Sequence, residues 1–245
     1  MKPNNLISGA AVSGLALAMS AAMPAAAQDV DWSIGVDYVT EYVFRGASLG
    51  ADSFQPYVEF STGNFTAGAW ASSGFGDGSA ASSDEIDLYA GYSVPLDGPM
   101  SLDLGVTYYH YPQGGGLFET DNGAAGTYEV SAAVGWGDVP LAPSLAAYYD
   151  LTLEAFTLEG AVGHSVGIGE KNGMDLGVTV GLVDGDGFSY EWATAGLALS
   201  HALTDDASVY AGVNYTINSE DVLDFSALRQ RDELLWFGTG ISTSF

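Results

Sequence analysis

The stretch WSIGVDYVTEYVFRG, Trp32 to Gly46, alternates bulky apolar side chains with small or charged ones. In an extended strand successive side chains point to opposite faces. Trp32, Ile34, Val36, Tyr38, Tyr42 and Phe44 then share one face, and Ser33, Gly35, Asp37, Glu41 and Arg45 share the other. A period of two sorts these residues where a helical period would scatter them. The stretch therefore reads as a strand, and it sets Arg45, one of five basic residues in a chain with 31 acidic ones, on the face that holds two acids.

The same pattern recurs along the chain. Val58 and Phe60 oppose Gln55, Tyr57 and Glu59; Ile86, Leu88, Ala90, Tyr92 and Val94 oppose Glu85, Asp87, Tyr89, Gly91 and Ser93. Further segments repeat it to the terminal run Leu235, Phe237, Ile241 and Phe245, for about twelve strands in all, an even number. The composition agrees: 33 Gly and 14 Tyr weaken helices and suit strands and turns.

Residues 1–27 read as a secretory signal peptide, with Lys2, an apolar run from Leu6 to Met19, and Ala25-Ala26-Ala27 ahead of Gln28. An uncleaved anchor is the alternative, but Pro24 and the serines at 8, 13 and 20 favour cleavage. One domain, residues 28–245, remains, and it has no Cys to staple it. Stability must come from a continuous core or a closed sheet. No second apolar run reaches the roughly 18 residues of a membrane helix, so a membrane form has to be a β-barrel. Without Lys2, four basic residues face 31 acids, which argues against nucleic acid as a partner.

Alternation also suits a soluble sandwich or a lipocalin-like barrel, with the apolar face inward. Connection lengths favour the membrane form. Gly63-Asn64, PLDGP at 95–99, GEKNG at 169–173 and TDDAS at 204–208 are short, with GDVPLAP at 137–143 somewhat longer. The intervening set includes long stretches at 76–84, 112–126 and 218–233. Short turns at one end and longer loops at the other are the pattern of an outer-membrane barrel with both termini periplasmic. Aromatics near strand ends (Trp32, Tyr42, Phe44, Tyr92, Tyr108, Tyr128, Trp136) fit interfacial girdles, and a final strand ending in Phe245 fits recognition by the barrel-assembly machinery.

The opening strand, with Asp37-Tyr38 and then Tyr42-Val43-Phe44-Arg45-Gly46, resembles that of the proteobacterial TorF-type porins. Stretches at 63–73, 85–94 and 147–163 echo the same family, although Thr40-Glu41 and the strongly acidic balance depart from it. The resemblance implies a porin and supplies no catalytic residues.

Ten strand acids lie opposite the apolar face: Asp37, Glu41, Glu59, Glu85, Asp87, Asp103, Glu129, Asp150, Glu159 and Asp175. Lining a lumen, they would attract cations and repel anions. Filling a narrow barrel, they would form hydrogen bonds with tyrosines and leave no path. Arg45 is expected to pair on the inward face with its strand's acids or with Glu59 or Gln55 of the next strand, and Arg229 and Arg231 to fold over the mouth.

GHSVG at 163–167 matches G-x-S-x-G, but it lies within an alternating strand with no helix to follow, so catalysis at Ser165 is not expected. His110, His164 and His201 fall on the apolar face; for His164, set mid-strand, a Gly-associated bulge that shifts the register is the favoured explanation. The histidines lack metal-ligand spacing, and DGDG at 184–187 reads as a tight turn rather than a calcium loop. The sequence thus points to a channel for small polar, preferentially cationic solutes, partnered by membrane lipid and needing no cofactor. A lipid-active hydrolase and a non-conducting barrel are the alternatives.

Overall fold

The computed structural model describes residues 30–75, 84–137, 139–219 and 232–245. These form twelve strands: β1 (Asp31–Phe44), β2 (Ala47–Thr62), β3 (Phe65–Gly74), β4 (Glu85–Val94), β5 (Met100–His110), β6 (Gly126–Trp136), β7 (Ser144–Asp150), β8 (Ala155–Gly167), β9 (Asn172–Gly185), β10 (Phe188–Ala202), β11 (Ala207–Asn218) and β12 (Glu233–Ser244). Each pairs antiparallel with its neighbours in sequence, and β1 pairs with β12 to close the barrel. Closure removes the unpaired sheet edges that a bilayer cannot tolerate.

The alternation places apolar side chains outside. Leu104, Val106, Leu176, Val178, Val180, Leu199, Leu235 and Phe237 are all exposed. Such a continuous apolar surface belongs against lipid. Inside are buried Glu85, Asp87, Asp103, Thr107, Glu129, Thr194 and Asn214.

The two ends differ, though less simply than the loop lengths suggest. At the end opposite the termini, the turns Arg45-Gly46 and Asp186-Gly187 have two residues each, as short as any at the other end. DGDG is thus a tight turn. The 111–125 connection folds back on the rim: the Phe118 N–H donates to Tyr108 Oη (2.7 Å), and Phe118 packs on the Tyr108 ring. Tyr108 and His110 are buried beneath this connection and are no part of a lipid-facing girdle.

The main departure from a simple barrel is the β1–β2 hairpin. β1 pairs with β12 only as far as Val39, and β2 pairs with β3 only from Ser53. Where β1 leaves, the Phe237 N–H donates to Thr40 Oγ1 at 2.9 Å. Beyond that point β1 and β2 pair only with each other, with a register shift between Tyr42 and Val43. This part folds into the lumen. Val39, Tyr42 and Val43 pack with Leu234 and Trp236 in a cluster inside the barrel. Full burial of a Val- or Leu-sized side chain stabilises by about 1.5–3 kcal/mol, so the cluster is a second core, separate from the wall. Tyr42 and Phe44, expected on the lipid face, are therefore luminal, because β1 leaves the wall after Val39.

The hairpin tip depends on Gly46. Arg45 and Gly46 have φ of 46° and 79°, the positive pair that a two-residue type I′ turn requires. A Cβ on Gly46 would lie 2.2 Å from Trp192 Cβ on β10. Gly46 is needed both for the turn and for this approach. Replacing it by Val is expected to undock the tip and leave the wall closed: trypsin should cut after Arg45 in the variant and spare that bond in the folded wild type, read by mass spectrometry of the fragments.

Candidate functional site: the acidic lumen and its inward hairpin

Arg45 carries the hairpin across the barrel. Its Nη1 donates to Glu129 Oε2 at 2.6 Å and its Nη2 to Glu129 Oε1 at 2.8 Å, a bidentate pair with β6. Nη1 also approaches Thr157 Oγ1 on β8 at 3.4 Å, and the guanidinium lies over the rings of Phe44 and Tyr148, 4.6 and 4.3 Å from their centroids. Of the expected partners on β2, Glu59 and Gln55, Glu59 instead accepts from Tyr89 at 2.9 Å. Because the hairpin leaves the wall, Arg45 meets β6 on the opposite side rather than the expected neighbour strand.

Further contacts ring the hairpin. Tyr42 donates to Glu85 on β4 (2.8 Å) and stacks near Trp70 on β3; Phe44 meets Tyr109 on β5 edge-on; Asn218 on β11 donates to the Gly46 carbonyl at 2.7 Å. With Glu129, Thr157, Trp192 and Trp236, these span strands from every side. The hairpin thus crosses the lumen at the end opposite the termini.

The ten acids divide between structural and wall-lining settings. Near the hairpin, Ser48 donates to Glu41, Tyr109 donates to Glu129 at 3.0 Å, and Asp150 Oδ1 accepts the N–H groups of Thr152 and Leu153, both at 2.8 Å. Asp150 therefore caps the β7–β8 turn. Toward the termini, Tyr210 donates to Asp37 (2.8 Å), Tyr89 to Glu59 (2.9 Å), Ser93 to Asp103 (2.5 Å) and Ser165 to Asp175 (2.5 Å). Glu159 lies half-buried on β8. Hydroxyl donors, rather than cations, satisfy most of these carboxylates. Arg45 is the one lumen cation among the described residues, since Lys171 lies in the β8–β9 turn and Arg229 and Arg231 lie outside the described residues.

The β8–β9 register runs unbroken from Phe156 opposite Asp184 to Gly167 opposite Gly173. The bulge expected at His164 is absent: His164 does face outward, three residues from the strand end, where an imidazole can reach the polar interface. Ser165 faces inward onto Asp175, so Ser165 and His164 are on opposite sides of the wall and cannot form a nucleophile–base pair.

The Arg45–Glu129 pair is buried, with side-chain exposures of 12% and 5%. Removing one partner strands the other charge, a loss of about 3–5 kcal/mol. Arg45→Ala should lower stability to urea in micelles by an amount of that order, and Arg45→Met with Glu129→Gln should recover most of it. Equal stability of Arg45→Ala and wild type would contradict the pairing.

Several solved barrels share this fold. The NanC porin aligns at a TM-score of 0.53 and 12% identity, over 88% of this chain and 99% of its own. The KdgM porin aligns at 0.56 and 12%, over 87% and 99%. An outer-membrane channel from Pseudomonas putida F1 aligns at 0.53 and 11%, over 92% and 98%. At these identities the likeness is one of fold. No protein of curated function matches the chain in sequence. The model of a bacterial family of unknown function, Gcw_chp, matches residues 22–162, which include the inward hairpin and its Glu129 partner, and the chain belongs to that family.

Proposed function

We propose that the protein is an outer-membrane, porin-like channel for small polar solutes, preferentially cations, whose constriction is the β1–β2 hairpin. The observation that carries this reading is a closed, apolar-walled barrel with acids along its interior and one wall hairpin folded inside it. Acids along the interior of a low-dielectric tube give it a summed field that concentrates cations. The resemblance of the opening strand to that of TorF-type porins, and the fold shared with NanC and KdgM, support the same class. One KdgM structure is a complex with disordered oligogalacturonate. An interior of acids favours solutes of the opposite sign. Residues 1–27, as a signal peptide, would direct export through the inner membrane, and Phe245 would present the last strand for assembly into the outer membrane.

The contacts that surround the hairpin favour a second reading, a sealed barrel with a structural role. Planar-bilayer recordings separate the two. The channel reading predicts small conductance steps with a reversal potential on the cation side, and severalfold larger steps when residues 41–52 are replaced by a two-residue Asn-Gly turn. Asp37→Asn with Glu59→Gln should reduce the cation preference without closing the channel. Silence from both the wild type and the shortened hairpin would leave the sealed barrel.

A further inference from the structure

Beneath the hairpin, Glu85 and Asp87 stand two residues apart on the inward face of β4, with their carboxyl groups within hydrogen-bonding reach of each other. Ser72 of β3 sits directly opposite Glu85 in the register and so shares that face. All three are enclosed, at 5%, 2% and 1% exposure for Glu85, Asp87 and Ser72. The nearby guanidinium does not serve them, because both of its terminal nitrogens are committed to Glu129. Tyr42 gives Glu85 one hydrogen bond. Asp87 Oδ1 and Ser72 Oγ have no hydrogen-bond partner.

Two carboxylates held this close in a dry setting need a positive charge between them. A shared proton meets that need for one oxygen of each carboxyl, but leaves Ser72 Oγ unserved. A small hard cation draws oxygens from all three side chains at once. We propose that Glu85, Asp87 and Ser72 bind a hard cation of the calcium class under the hairpin, with Tyr42 as the lid residue that reports on it. Among the described residues no three His, Cys, Asp or Glu side chains converge on a metal position. The site therefore rests on two carboxylates and a hydroxyl. It does not require that the barrel conduct.

Terbium(III) tests the site, because Tyr42 and Trp70, with ring centroids 5.5 Å apart, can sensitise its emission. In the folded, detergent-solubilised barrel, one terbium equivalent should give tyrosine- or tryptophan-excited emission that calcium displaces. Asp87→Asn should weaken that binding on the order of tenfold, and Ser72→Ala, which keeps both carboxylates, by a smaller factor of about three. Asp205→Asn, in an exposed turn at the terminus end, should leave it unchanged. Heat-modifiable gel mobility verifies that each variant is folded. Emission and calcium competition identical in wild type, Asp87→Asn and Ser72→Ala would overturn the proposal and assign the pair a shared proton. No current is measured, so that failure would leave the channel reading standing, and a silent bilayer would leave the cation site standing.

Discussion

One bidentate ion pair reaches across the barrel, from Arg45 at the tip of the first hairpin to Glu129 on β6. An ion pair in such a setting adds little net stability compared with an apolar substitute, but it is unforgiving of misplacement. A guanidinium in the lumen with no carboxylate to meet it would be costly, and the reverse holds for Glu129. The pair therefore selects one position for the hairpin. The other contacts follow from that position: Gly46 against Trp192, Asn218 on the Gly46 carbonyl, Tyr42 on Glu85, and the apolar cluster of Val39, Val43, Leu234 and Trp236. The tip also holds Arg45 at positive φ, a conformation unusual for a residue with a Cβ. The contacts around the guanidinium compensate for it.

Below the hairpin a different device operates. A tube lined with carboxylates would be hard to close if each needed a cation. Here Tyr210, Tyr89, Ser93 and Ser165 each donate a hydroxyl hydrogen to an acid. Each such bond to a charged group contributes about 1.5–3 kcal/mol. The tyrosines and serines thus allow an acidic wall to fold without a cation at each carboxylate. In the proposed channel, the hairpin would set the room for a solute and the acidic wall the favoured sign of charge.

The alternation of Trp32, Ile34, Val36 and Tyr38 against Ser33, Gly35 and Asp37 made the strands and their faces legible, because the two faces of a barrel wall have opposite solvents. The inward sense of the ten acids was legible for the same reason. The hairpin was not, because period-two alternation says which side a residue faces and nothing of where a strand leaves the sheet. Two signals did point to it. Val39 and Val43 are apolar in phase with Asp37 and Glu41, and the run Leu234 to Phe237 is apolar on both faces. Strands that are apolar on both faces are covered on both faces, here by lipid on one side and the hairpin on the other. The partner of Arg45 was missed for a related reason. Local register offers only neighbours such as Glu59, whereas Glu129 is 84 residues away in the chain. His164 misled in the opposite direction: a polar residue on the lipid face suggested a bulge, whereas its place near the strand end makes the outward position tolerable.

The chain contains no cysteine, so a single introduced thiol reports on the hairpin without background. Ala47, beside the tip, is 2% exposed, whereas Asp186 lies exposed in a two-residue turn at the same end of the barrel. The rate at which a water-soluble maleimide labels Ala47→Cys, compared with Asp186→Cys, in the folded barrel measures directly whether the hairpin lies inside. A hairpin latched in the lumen predicts prompt labelling at 186 and protection at 47 until the protein is unfolded. Equal rates at the two positions would show a hairpin that stands outside the barrel like its neighbour, and would contradict the latch.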